Sequence, residues 1–166
     1  MRTLSHALRR ALDAEVRPAI LLSSNYEVLA ANRAYAESFG RDVVGRRCHE
    51  VSHGYPSPCD QHGESCPLAA ARDSLHEARV LHVHHTPRGL EHVDVVTRPL
   101  LDAAGEVVAY MEVLSPVSSA SARAGSQALV GRSRRFNRAL EYALRAAPAE
   151  VPVLLLGDSG TGKERM

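Results

Sequence analysis

Residues 19 to 40 read AILLSSNYEVLAANRAYAESFG, and the fold is decided by how this stretch is read. Ala19 to Ser23 is a short apolar run, Asn25 supplies a turn, and Glu27 to Ala31 returns as a second run, which is the pattern of a β-hairpin. Asn32 to Phe39 follows as a short helix that closes at Gly40, in the manner of a glycine C-cap. Upstream, Leu4, Leu8, Ala11, Leu12 and Val16 recur at three- and four-residue steps, so residues 3 to 16 are expected to form an amphipathic helix ended by Pro18. Its apolar stripe must cover either the domain that follows or the same helix of a second chain.

Downstream of the hairpin lies the chemistry. The segment from Cys48 to Cys66, CHEVSHGYPSPCDQHGESC, holds all three cysteines and three of the nine histidines. Gly54, Pro56, Pro58 and Gly63 interrupt it, so it is expected to be an irregular loop, neither helix nor strand. A loop that folds back can aim thiolates and imidazoles at one point, as Zn²⁺ or an iron–sulfur cluster requires. Three thiols leave a tetrahedral set incomplete, and the preferred donors are Cys48, His53, Cys59 and Cys66, with His62 or His49 as substitutes for His53. The plainer alternative is three buried thiols with no ligand, free cysteine being a common small core residue. A disulfide fits less well, because an odd count strands one thiol.

After the loop, Pro67 stands at a first helical position, and Leu68, Ala71, Leu75 and Ala78 mark the buried face of a helix of about three turns. Three strands follow over 79–86, 91–100 and 107–113, joined by turns at 87–89 and 102–105. In the first, Leu81 and Val83 point one way and Val80, His82 and His84 the other. His82, His84 and His92 are candidates for the fourth ligand if the loop folds near them, but a solvated sheet face or a dimer contact is the expected place for a strand histidine. The fold class is therefore α+β, an antiparallel five-stranded sheet with helices on one side.

The hairpin stretch, together with GRRCHEV (residues 45–51) and GEVVAYMEVLSPV (residues 105–117), resembles a PAS sensor domain over roughly residues 17 to 115, with Asn32, Ala34 and Gly40 as family positions. GRRCHEVSHGYPSPCDQHGESCPL (residues 45–68) is similar to a cysteine-bearing segment found in a subset of bacterial PAS domains. The resemblance implies signal sensing and tilts the choice between cluster and zinc toward the cluster. Haem or a small aromatic effector would also suit a PAS interior, and nothing calls for a flavin.

Ser, Ala and Gly dominate from Ser115 to Gln127, so residues 116–128 read as a linker between a PAS unit at 17–115 and a new unit at 129–166. In the latter, Phe136, Leu140 and Leu144 mark one helix face, and Val153 to Leu156 reads as a buried strand. Gly157, Asp158, Ser159, Gly160, Thr161, Gly162, Lys163 and Glu164 then match the phosphate-loop pattern GxxxxGK, except that Glu164 replaces the Ser or Thr that would hold Mg²⁺. LVGRS (residues 129–133) with VPVLLLGDSGTGKE (residues 151–164) resembles the opening of the AAA+ ATPase domain of bacterial enhancer-binding activators of sigma-54 RNA polymerase. The resemblance implies the N-terminal part of a longer transcriptional regulator, in which ATP and Mg²⁺, sigma-54 polymerase and DNA are engaged through regions beyond residue 166. For this chain itself no turnover is expected, because an incomplete site cannot position Mg²⁺ and an attacking water.

Composition narrows the field further. A net charge of +1 and 4% aromatics argue against a dedicated nucleic-acid surface. The N-terminus lacks an apolar signal core, and no apolar run approaches membrane-spanning length. A cytoplasmic protein, unanchored and dimeric, is expected.

Overall fold

A computed structural model describes residues 5–40, 42–118, 120–121, 129–131 and 133–165. β1 (Ala19–Leu22) and β2 (Val28–Ala31) form the hairpin; β3 (Ala78–Thr86), β4 (Gly89–Leu101) and β5 (Val107–Pro116) complete one sheet in the order β2-β1-β5-β4-β3. All neighbours pair antiparallel. All four residues of β1 are buried, which explains why that strand is apolar throughout.

The two faces of the sheet are covered differently. On the inner face, Ile20, Leu22, Val93, Val95, Tyr110 and Leu114 pack with Tyr35 of α2 (Arg33–Phe39) and with Leu68 and Ala71 of α4 (Pro67–Ser74). On the outer face, Leu21, Ala30, Met111 and Val113 meet Leu12 of α1 (His6–Ala14), so the amphipathic helix covers its own sheet. It is shorter than its periodicity suggests. Glu15 leaves helical geometry and forms two 2.9 Å ionic hydrogen bonds with Arg17, and Val16 is exposed. Leu4 lies outside the described residues.

Asn32 ties these parts together. Its Oδ1 accepts from the backbone N–H of Tyr35 (2.9 Å), capping α2, and from that of Ala19 (3.1 Å) at the start of β1. Its Nδ2 donates to the carbonyls of Glu15 and Arg17, both at 2.8 Å. One buried amide thus fixes the entry from α1, the first strand and the first inner helix.

Two expectations about helices need correction. α4 has two turns, not three: Leu75 adopts a left-handed backbone (φ 58°) and is exposed, and Ala78 belongs to β3. The Ser74 hydroxyl, donating to the Ala70 carbonyl and accepting from His76 N–H, provides the local alternative to another helical turn. In the C-terminal part, α5 (Arg134–Ala146) sets Leu140 against Leu81 of β3, flanked by Phe136 and Leu144, on the stripe expected from sequence. Residues 153–156 form no strand among the described residues; Leu154 and Leu156 are exposed, for an apolar run without a neighbouring strand has no partner for its backbone groups. Within the linker, β6 (Ala120–Ser121) pairs parallel with β7 (Leu129–Val130), and residues 119 and 122–128 lie outside the described residues.

Asn32→Ala should lower unfolding stability by about 2–4 kcal/mol in denaturant titration, since it strands buried backbone groups of three elements. Asn32→Asp should not restore it, because a carboxylate cannot donate to the Glu15 and Arg17 carbonyls.

Candidate metal centre

The cysteine segment is more regular than its prolines and glycines suggest. Cys48–His53 forms a helix, α3, and Cys59–His62 forms a 3₁₀ turn. Gly54 (φ 70°) ends the first and Gly63 (φ 77°) the second, each in the left-handed region that favours glycine. The expected irregular loop is thus corrected to two short helices with Pro56 and Pro58 between them; the breakers terminate helices here instead of preventing them. Cys48 opens α3, Cys59 opens the 3₁₀ turn, and the Cys66 thiol caps α4, accepting from Ala69 N–H at 3.5 Å. All three thiols are free and buried.

The other half of the site comes from the sheet. The inner face of β3 carries Val80, His82 and His84, as alternation requires, but these histidines are neither solvated nor at a dimer contact. The cysteine segment folds over that end of the sheet, leaving His82 3% and His84 2% exposed, and their rings stand edge-on to His53 at 4.8 and 4.9 Å between centroids. His92 is buried as well, on the outer face, where Nε2 lies 3.1 Å from Asn137 Oδ1 beneath Phe136.

Cys48, Cys59, Cys66, His49, His53, His82, His84 and Glu112 line a single cavity of about 10 Å³. Within it, the donor atoms of His53, Cys59 and His82 lie within 4.8 Å of one another. Tetrahedral coordination at bond lengths of about 2.0–2.3 Å would draw such atoms to roughly 3.3–3.8 Å apart. His53 Nδ1 lies 3.1 Å from the Val83 carbonyl and His82 Nε2 2.6 Å from the Ser65 carbonyl. A carbonyl only accepts, so these nitrogens carry the protons, and His53 Nε2 and His82 Nδ1 keep their lone pairs. Such tethering of the outer nitrogen is how metal-binding imidazoles are oriented. Cys66 lies outside this close group but lines the same cavity as Cys59. Of the two substitutes, His49 directs Nδ1 at the Tyr55 carbonyl (2.9 Å), and exposed His62 pairs Nε2 with Ser57 Oγ (2.9 Å); neither belongs to the close group. Sequence reasoning held His82 only as a secondary ligand candidate, because alternation shows which strand residues share a face, not what covers it.

The electrostatics are those of a buried, uncharged donor set. Burial lowers the His53 pKa to about 3, assisted by the neighbouring His82, and pushes His82 and His84 down as well. The Cys48 thiol is pushed up by burial and by nearby Glu112. In the Cys59–Cys66 pair, the shared hydrogen bond holds the proton on Cys59 and lowers Cys66. Glu112, fully buried on β5, is raised to about 7 by desolvation, with one hydrogen bond donated by Thr97 Oγ1 (3.1 Å) in opposition. His84 Nδ1 has no hydrogen-bond partner, a cost that a buried imidazole recovers only with a ligand or a water.

The phosphate-loop residues lie apart from this cavity, on the exposed segment 157–164. Gly160 and Gly162 have φ of 78° and 79°, and the Lys163 ammonium donates to the loop's own carbonyls at Gly157 (2.9 Å) and Asp158 (2.6 Å).

The profile of the PAS fold family matches residues 12–122. No curated protein matches the chain. Among solved structures, it is similar to a light-oxygen-voltage domain studied with a flavin analogue, at 15% identity and a TM-score of 0.56, covering 86% of this chain and 97% of that one. An RNA-binding light-oxygen-voltage receptor is similar at 16% identity and a TM-score of 0.54, over 86% of this chain and 36% of the other. The VqmA dimer of Vibrio cholerae is similar at 19% identity and a TM-score of 0.50, over 69% of this chain and 53% of the other. At such identities the likeness is one of fold.

Opposed proton linkages follow from the buried set. For His53, with a folded pKa near 3, the stabilising contribution is complete above its ordinary value of 6.5 and is lost as pH falls toward 3; His82 and His84 share the sign. Glu112 has the reverse sign: its contribution is complete below 4.5 and lost as pH rises through about 7. Metal-free protein should therefore lose stability between pH 7 and 5, read from urea midpoints, and Glu112→Gln should steepen that loss.

Proposed function

The chain belongs to the PAS fold family, and from that premise we propose that it is a sensor module reporting the occupancy or redox state of a thiolate–imidazole metal site in its own core. The observation that carries this reading is the convergence of three thiols and four imidazoles, from α3, the 3₁₀ turn, the cap of α4 and β3, on one inner-face cavity. His53, Cys59 and His82 would hold the ion, with Cys66 as the fourth donor. Cys48 stands beside them in the same cavity. A cavity of about 10 Å³ suits one ion of the size of Zn²⁺ or Fe²⁺. An iron–sulfur cluster, the preference from sequence, would need the segment to open around it. Bound zinc would clip the segment to the sheet while leaving oxidisable thiolates, and bound iron would add a one-electron change of charge.

The flavin named for one light-oxygen-voltage relative does not fit this inner face. Ligand pockets of that class occupy about 300 Å³ or more, whereas Tyr35, Leu68, Ile20 and Leu114 fill the space here. Hydrogen bonds of the donor histidines themselves, His53 to the Val83 carbonyl and His82 to the Ser65 carbonyl, join the segment to β3, so a change at the donors would alter the order of residues 54–66.

For the output we propose a AAA+ segment beginning at residue 129, within a dimeric, cytoplasmic sigma-54-dependent regulator whose polymerase and DNA contacts lie in further domains. Supporting this are the GxxxxGK match and the left-handed backbone at Gly160 and Gly162, a turn geometry that exposes N–H groups to phosphate. Among the described residues no helix is long and apolar enough to cross a membrane.

Protein purified without oxygen should carry one thiophilic ion per chain by elemental analysis, and Cys59→Ser should abolish it. Broad visible absorption with iron and sulfide in equal amounts would replace the single ion by a cluster. Metal-free protein with three titratable thiols would overturn the reading.

A further inference from the structure

Behind the two imidazoles of the candidate site stands one carboxylate. Glu64 Oε2 lies 4.0 Å from His53 Nδ1 and 3.8 Å from His82 Nε2, the two nitrogens that carry protons. Its other oxygen, Oε1, accepts a 2.9 Å hydrogen bond from Tyr55 OH. The Tyr55 ring in turn lies flat on His53, at 5.0 Å between centroids and 8° between planes. Tyr55 therefore aims the carboxylate and braces the imidazole at once. Glu64 is a quarter exposed, so water meets part of its cost of desolvation while its inward oxygen faces the histidines.

We propose that Glu64 acts on the metal site through its two imidazoles, its charge setting the donor strength of His53 and His82 together. This rests on the reading of the cavity as a metal site. The geometry supports it: an ion bound at the inner nitrogens would draw electron density from both imidazoles, and their outer nitrogens lie 4.0 and 3.8 Å from the Glu64 carboxylate. Without ion the N–H groups point at the Val83 and Ser65 carbonyls, so Glu64 acts as a charge behind fixed rings. A carboxylate so placed raises the electron-donating strength of the inner nitrogens.

Cobalt(II) titration of the full chain, followed by its visible absorption, tests the assignment. Glu64→Gln keeps size and loses charge, and should weaken binding 10- to 100-fold. The wild-type affinity should fall with added salt and that of Glu64→Gln should not, a response that a purely structural side chain would not give. Tyr55→Phe frees the carboxylate without removing its charge and should cost less than Glu64→Gln. Equal affinity and equal salt response in wild type and Glu64→Gln would overturn the role of Glu64 while leaving the site standing. Failure of the wild-type chain to take up cobalt would remove the site itself, and Glu64's role with it.

Discussion

The side chain of Asn32 makes four hydrogen bonds in a buried position, and the geometry of the domain depends on them. Two carbonyls after α1 and two N–H groups, at the start of β1 and of α2, would otherwise be sealed from water without partners. Because one planar amide satisfies all four, the approach of α1 to the outer face and of α2 to the inner face is set by a single rigid group. The sheet can then bury β1 on both sides, with Leu12 above it and Tyr35 below. The inner face beyond this point is left to α4 and the cysteine segment.

That arrangement explains how a core can hold so many polar atoms. Three thiols, four imidazoles and a carboxyl sit where the neighbouring layers are Leu68, Val93 and Val95. Each imidazole of the close group has one nitrogen tethered to a backbone carbonyl, from Val83 or Ser65. Burial keeps the rings neutral, and neutrality keeps their lone pairs available. Desolvation, which is a penalty for most polar groups, here prepares donors for a cation.

Much of this was legible in the sequence. The hairpin of 19–31, the short helix after it, Pro67 at a helix start and the shared face of Val80, His82 and His84 all follow from local rules of turn chemistry and alternation. The convergence of the cysteines on a single cavity matches the idea drawn from their clustering, and His53 lies in the close group. What could not be read depends on distant contacts. His82 and His84 are buried only because the segment folds over β3, and α3 forms because Cys48–His53 ends at a glycine instead of being broken by one. Leu75 fits a helical stripe by spacing, yet local bonds of Ser74 stop the helix one residue earlier. The apolar run at 153–156 has strand composition without a strand to pair with.

The small cavity has a kinetic side. His53, His82 and Cys59 are each at most 5% exposed, so the closed domain offers solvent little access to the donors. An ion could therefore enter or leave only while the stretch between Gly54 and Cys66 lifts from β3. Exchange would run at the frequency of that local opening, whatever the affinity. With a metal bound, such a site would not track the free metal concentration moment by moment; it would keep a memory of the last time it opened.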